Sequence, residues 1–288
     1  LLQTFGIGAI TEFPSQALMQ AGLETWLDRE NCAISDARLA KRLNVTGFFE
    51  PPTALDKKKN PSGGHVWFVR FPNWHVCPRC RAMKYVDWNS TVPPKCASSI
   101  TPRFKGESCS KLAERRRKVM LPVRFITICS GGHIEDFPWV EWCHTARGED
   151  LVRGRKCESP SLRLDATGRS GLMGLTVKCE SCGSKRSLMG ASSKDTMESF
   201  GCGGHRPWLG PDAVEECTAS EPPKVVQRGA SNVYFPLISS SILIPPHSRR
   251  ARQLVDRKWS ILESGVDVDG KIEEERVKTF ADIYKLDI

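Results

Sequence analysis

Cys77-Pro78-Arg79-Cys80 and Cys179-Glu180-Ser181-Cys182-Gly183 decide how this chain is held together. Two further cysteines follow each hook: Cys96 and Cys109 after the first, Cys202 and Cys217 after the second. A C-x-x-C turn folds its backbone back like a hairpin knuckle and holds two thiolates on one side of a metal. Two more thiolates from a distant segment close the tetrahedron. The expected sites are therefore Cys77, Cys80, Cys96 and Cys109, and Cys179, Cys182, Cys202 and Cys217, with two zinc ions as the cofactor. A closed four-thiolate site leaves no open coordination position, so it holds structure and does not activate water.

Working outward, a strand enters each hook. Val66 to Phe71 is rich in aromatic and β-branched residues and runs toward Cys77, while Leu172 to Val177 leads into Cys179. Val119 to Cys129 alternates apolar and polar residues, and Val225 to Pro246 is the most β-rich stretch, with Val233 to Pro246 reading as a buried strand. Helical spacing marks Ala17 to Arg29 through Leu18, Leu23, Trp26 and Leu27. Ser35 or Asp36 is placed to cap a short helix through Leu43, and Lys271 to Leu286 forms an amphipathic candidate. The expected class is α+β: zinc-ribbon-stapled mixed strands with peripheral helices, irregular and loop-rich. The divisions read from this are an N-terminal helical and extended segment (1–65) and a first ribbon-like region (66–118). A cysteine-rich domain with the second site (119–246) and a basic helical tail (247–288) follow.

A chain of 288 residues, 40% apolar and 26% charged, has an ordinary globular composition, and no apolar run in it is long enough to span a bilayer. The net charge of +9 is concentrated in Lys57, Lys58 and Lys59, in Arg115, Arg116, Arg117 and Lys118, and around Arg249 to Lys258. Such clusters attract phosphates and release counterions, which makes the first two the nucleic-acid-binding candidates. Paired hooks with completing cysteines argue for metal in a reducing cytoplasm over disulfides or a single redox hook. In Gln227 to Pro236 a turn before an apolar strand offers Arg228, Ser231 and Asn232 as a partner or phosphate contact, or as turn residues only.

Cys129-Ser130-Gly131-Gly132-His133, with His144 and Cys157, forms a weaker constellation. Cys129, His133, His144 and Cys157 are a candidate third metal site. The alternative is local hydrogen bonding by the histidines and apolar packing of the thiols. A cysteine nucleophile with a histidine base is formally open to the same residues. His75 and His205 lie beside the hooks as substitute ligands. Asp136-Phe137-Pro138-Trp139 and Arg206-Pro207-Trp208 place tryptophans that either stack on a partner or anchor the core. No Walker motif, H-E-x-x-H, G-x-S-x-G or acidic nuclease cluster occurs, so no catalytic residue is assigned.

Four segments carry a family resemblance: Thr4 to Ile10, Cys129 to Trp142, Cys202 to Trp208, and Arg228 to Pro236. They resemble the DrmB family, helicase-partner subunits of the bacterial DISARM antiphage system, related to the MrfB-type partners of repair helicases. The resemblance spans most of residues 1–246, and Arg228-Gly229-Ala230-Ser231-Asn232 is its most specific part. It implies a non-motor subunit that binds a superfamily-two helicase of DrmA type and supports that motor's engagement with DNA. It also carries the family's cysteine ligands onto Cys179, Cys182, Cys202 and Cys217. DrmB-like chains are longer, so the tail after Pro246 reads as part of a longer chain. Two rival readings remain: a stand-alone zinc-ribbon nucleic-acid binder, and an enzyme built on Cys129, His133 and His144.

Overall fold

The computed structural model describes residues 6–26, 29–51, 65–102, 106–145, 157–168, 171–235, 237–242, 257–258 and 274–284. The chain divides into two compact units, Leu1–Ile238 and Ser239–Ile288. In the first, every sheet among the described residues is small and antiparallel, built from short strands. β1 (Ile10–Phe13) and β2 (Gln16–Gln20) form a hairpin that β5 (Phe68–Arg70) extends. The helical spacing from Ala17 onward is overridden here. As β2, the segment buries Ala17 and Met19 on one face and bonds to strands on both sides, and only a 3-10 turn at Leu23–Thr25 remains helical. The next helix forms where its cap foretold. β3 (Ala33–Ile34) leads to α1 (Ala37–Leu43), and the Leu39 N–H donates to Asp36 Oδ1 at 2.9 Å. Asn44, left-handed at φ 54°, ends it before β4 (Phe48–Phe49) pairs back to β3.

Three further sheets place the cysteines. β6 (Trp74–Val76) lies between β7 (Met83–Tyr85) and β8 (Leu121–Pro122). β9 (Phe125–Ile128) lies between β10 (Ile134–Asp136) and β14 (Lys224–Gln227), and β12 (Leu175–Cys179) between β11 (Leu162–Ala166) and β13 (Lys185–Ser187). Two further short helices, α2 (Trp139–His144) and α3 (Lys194–Glu198), lie in this unit, and α4 (Glu274–Tyr284) lies in the second, within the stretch expected to be helical.

The largest core gathers Phe137, Trp139, Trp142, Leu162, Val177 and Leu188, so both α2 tryptophans are core anchors. Arg186 stacks over Trp142 at 3.8 Å. A second core joins Met19, Phe71, Ile126 and Ile134 to half-buried Ile10, Trp208, Val226 and Val233. Segments far apart in sequence meet there: Trp208 packs on Gly8, and Arg228 pairs with Glu12 at 3.1 Å. Asp136 ties the two middle sheets together by accepting the N–H groups of Asn73 (2.9 Å) and Trp74 (3.3 Å). Burial pushes its carboxyl up to about 6 against the pull of those donors.

The fold is α+β, irregular and loop-rich. One expectation fails. Only Lys224–Gln227 of the β-rich stretch pairs as a strand, and after the turn Phe235, Leu237, Ile238 and Ile242 are exposed, Leu237 at 96%. Apolar composition alone does not supply a partner strand. Residues 243–246 lie outside the described residues.

Candidate metal centres

The hairpins β6–β7, β9–β10 and β12–β13 each carry a knuckle. In the first, Cys77 N–H donates to the Ala82 carbonyl (2.8 Å), Arg81 N–H to the Cys77 carbonyl (3.0 Å), and Arg79 N–H to Cys77 Sγ (3.4 Å). The third repeats this with Cys179 N–H to Ser184 O (2.8 Å) and Gly183 N–H to Cys179 O (2.9 Å). The middle hairpin is the hook that C-x-x-C spacing does not reveal: Cys129 N–H donates to His133 O and Gly132 N–H to Cys129 O, each at 3.2 Å. One residue in each knuckle has positive φ: Arg81 (64°), Gly132 (82°) and Gly183 (78°). The Gly-Gly pair after Cys129 was the available signal, since it lets a C-x3-H turn close as tightly as C-x-x-C.

Among the described residues three groups of four ligands result: Cys77, Cys80, Cys96 and Cys109; Cys129, His133, Cys202 and Cys217; and His144, Cys157, Cys179 and Cys182. In each, all four ligand atoms lie within 4.8 Å of one another. The first group is the one expected. The other two correct the expected partition. Cys202 and Cys217 close on Cys129 and His133, not on Cys179 and Cys182, and His144 and Cys157 belong to the second C-x-x-C hook. The four residues named as a candidate third site are thus divided between two groups. Cys32 and Cys143 stand outside all three, and burial pushes the Cys143 thiol up to about 12, so it packs as a neutral group.

The spacing fits a metal and not disulfides. Sulfur pairs stand at 4.0 Å (Cys77–Cys109), 3.6 Å (Cys80–Cys96) and 3.8 Å (Cys129–Cys217 and Cys157–Cys179). A tetrahedron with metal–sulfur bonds of about 2.3 Å has edges of about 3.8 Å, whereas a disulfide needs about 2.05 Å. The histidines are set as ligands by their other nitrogens. His144 Nδ1–H donates to Val140 O at 2.6 Å, which leaves its buried Nε2 for the Cys157, Cys179 and Cys182 group. His133 turns Nδ1 toward Cys129 (3.3 Å) and Cys202 (3.6 Å) and gives Nε2–H to Glu215 at 2.8 Å, and Arg206 holds that carboxylate in turn. These residues fit a thiolate-loving divalent ion such as zinc, with all four positions filled by protein in each group.

The remaining predicted residues disperse. His75 is buried, donates Nδ1–H to the Asn73 carbonyl (2.9 Å), and is pushed by burial down to about 4; it belongs to none of the three groups. His205 lies outside the groups as well. Arg115, Arg116 and Lys118 are exposed beyond Cys109, whereas Arg117 donates to the Leu112 (3.0 Å) and Ser110 (3.2 Å) carbonyls and braces that loop. Lys57, Lys58 and Lys59 lie outside the described residues. Arg228, Ser231 and Asn232 do not act as one surface. Arg228 turns inward to Glu12 and the Pro122 and Val123 carbonyls, while Ser231 and Asn232 are exposed on the turn.

Gly204 holds the middle group closed. Its φ is 75°, and a Cβ there would stand 1.7 Å from the Glu215 carbonyl oxygen, in the bridge that brings Cys202 and Cys217 together. Gly204→Ala is expected to strip the middle metal alone, so metal analysis should show the other two retained.

The family model described as "Domain of unknown function (DUF8724)" matches residues 1–235. DISARM protein DrmB of Bacillus paralicheniformis is 30% identical to this chain over 250 residues, covering 86% of this chain and 40% of that protein. The chain therefore spans about two-fifths of the length of this curated relative.

Proposed function

From the chain's membership of the DUF8724 family and its DrmB-like sequence we propose that it is a non-enzymatic subunit of a bacterial antiphage defence complex of DISARM type. It binds a superfamily-two helicase resembling DrmA and supports that motor's hold on DNA, in the reducing cytoplasm. The likeness to DrmB along 86% of the chain carries this reading. Three zinc ions supply the scaffold. With every position held by Cys or His, they offer no site to water or substrate, so their chemistry is structural. No helix among the described residues is long and apolar enough to cross a membrane. The exposed Arg115, Arg116 and Lys118 suit phosphate contact beside the motor's channel, as do Lys57, Lys58 and Lys59 by sequence.

The test is co-purification with a co-expressed DrmA-like helicase, followed by DNA-binding anisotropy of each protein alone and of the complex. The expected result is a stable complex that holds DNA more tightly than either component. Replacing Arg115, Arg116 and Lys118 together by Ala should lower the salt slope of the complex by about 2 to 3. Tight DNA binding by the chain alone, with no complex, would favour the stand-alone binder. His133→Ala separates the enzyme reading: a structural ligand loses one metal, whereas a catalytic base leaves the metal content intact and abolishes an activity.

A further inference from the structure

A cleft of about 540 Å³ opens between the β6–β7 hairpin and the loop around Cys202. Its charge is the reverse of the chain's. Glu135, Asp136 and Glu141 line it, no Lys or Arg among the described residues does, and the protein as a whole carries +9. Glu135 already accepts the Gly203 N–H and Asp136 those of Asn73 and Trp74, so exposed Glu141 is the acid open to a ligand. Exposed Tyr85 and Trp88 stand on one side, and Phe200 and Met197 contribute apolar surface. Trp139, fully buried, also lines the cleft, and its indole N–H has no acceptor among the described residues.

We propose that this cleft docks an arginine side chain presented on an extended segment of a partner protein. Arg186 already covers the Phe200 ring, but the exposed Tyr85 and Trp88 rings beside the Glu141 carboxylate favour a positive, planar group, which pairs with that acid and stacks on the phenol or indole face. Lysine offers a point charge that cannot stack. A nucleobase would match the rings, but its phosphates would meet three carboxylates with no cation to offset them. The docking chemistry does not depend on the partner being a helicase, so this inference and the function proposed above stand or fall separately.

The test is calorimetric titration of the metal-loaded full chain with acetyl-Gly-Arg-Gly-amide, its citrulline isostere, and a short single-stranded oligonucleotide. The arginine peptide should saturate with a dissociation constant of about a millimolar, and citrulline should bind at least about tenfold more weakly. Glu141→Gln and Trp88→Ala, both exposed positions, should each weaken the arginine peptide about fivefold with metal content and thermal midpoint unchanged. Three results would overturn the proposal: no saturation by about 10 mM peptide, equal binding of citrulline, or oligonucleotide binding that Trp88→Ala abolishes.

Discussion

Native mass spectrometry of the purified chain is expected to show three bound metal ions, and double substitutions will report which ligands share one. Cys129→Ser with Cys202→Ser should remove a single ion, because both residues serve the middle group. Cys179→Ser with Cys202→Ser should remove two, although sequence order pairs these cysteines. A closed structural zinc contributes on the order of 10 kcal/mol to folding, so each loss will also lower stability sharply. Cobalt substitution supplies a readout that does not depend on full stability: one site should show four-thiolate absorption and two should show three thiolates with an imidazole. If Cys179→Ser with Cys202→Ser removes only one ion, the grouping described here is wrong. Two ions in the wild type would say the same.

Arg228→Ala is expected to destabilise the fold by about 3 kcal/mol while leaving the metal content at its wild-type value. The guanidinium donates to the Pro122 carbonyl at 2.9 Å and to the Val123 carbonyl, and meets Glu12 at 3.1 Å. Its side chain is 14% exposed, so truncation strands the Pro122 and Val123 carbonyls where water reaches them poorly, while the half-exposed Glu12 is resolvated. Lysine, with one compact ammonium, cannot reproduce the fork, so Arg228→Lys should recover only part of the loss. Denaturant unfolding measures both. Unchanged stability with weakened partner or DNA binding would instead place Arg228 in an outer contact.

Local chemistry was legible wherever one short segment decided the outcome. The Cys77 and Cys179 hooks need only four residues and a turn, and the α1 cap needs only Asp36 and the N–H three residues on. Where neighbours decided, reading by pattern failed. The helical spacing after Ala17 yielded to β2 because β1 and β5 satisfy its backbone on both edges. The apolar run after Val233 stays exposed among the described residues because no strand pairs with it.

The metal ligands show the same divide. The sequence alone determined that this chain carries paired thiolate hooks and belongs with DrmB-like proteins, since knuckles are local and the family segments are contiguous. Only the tertiary structure decided which distant residues complete each hook. β14 follows Cys217 and pairs with β9, and Ile134 N–H donates to His205 O at 3.1 Å, so the Cys202–Cys217 loop is drawn to the β9–β10 knuckle. α2 packs on β12 and β13 and brings His144 to the hook that the loop leaves open. A tetrahedron closes on whatever ligands sheet pairing delivers within about 4 Å, and separation along the chain does not enter that geometry.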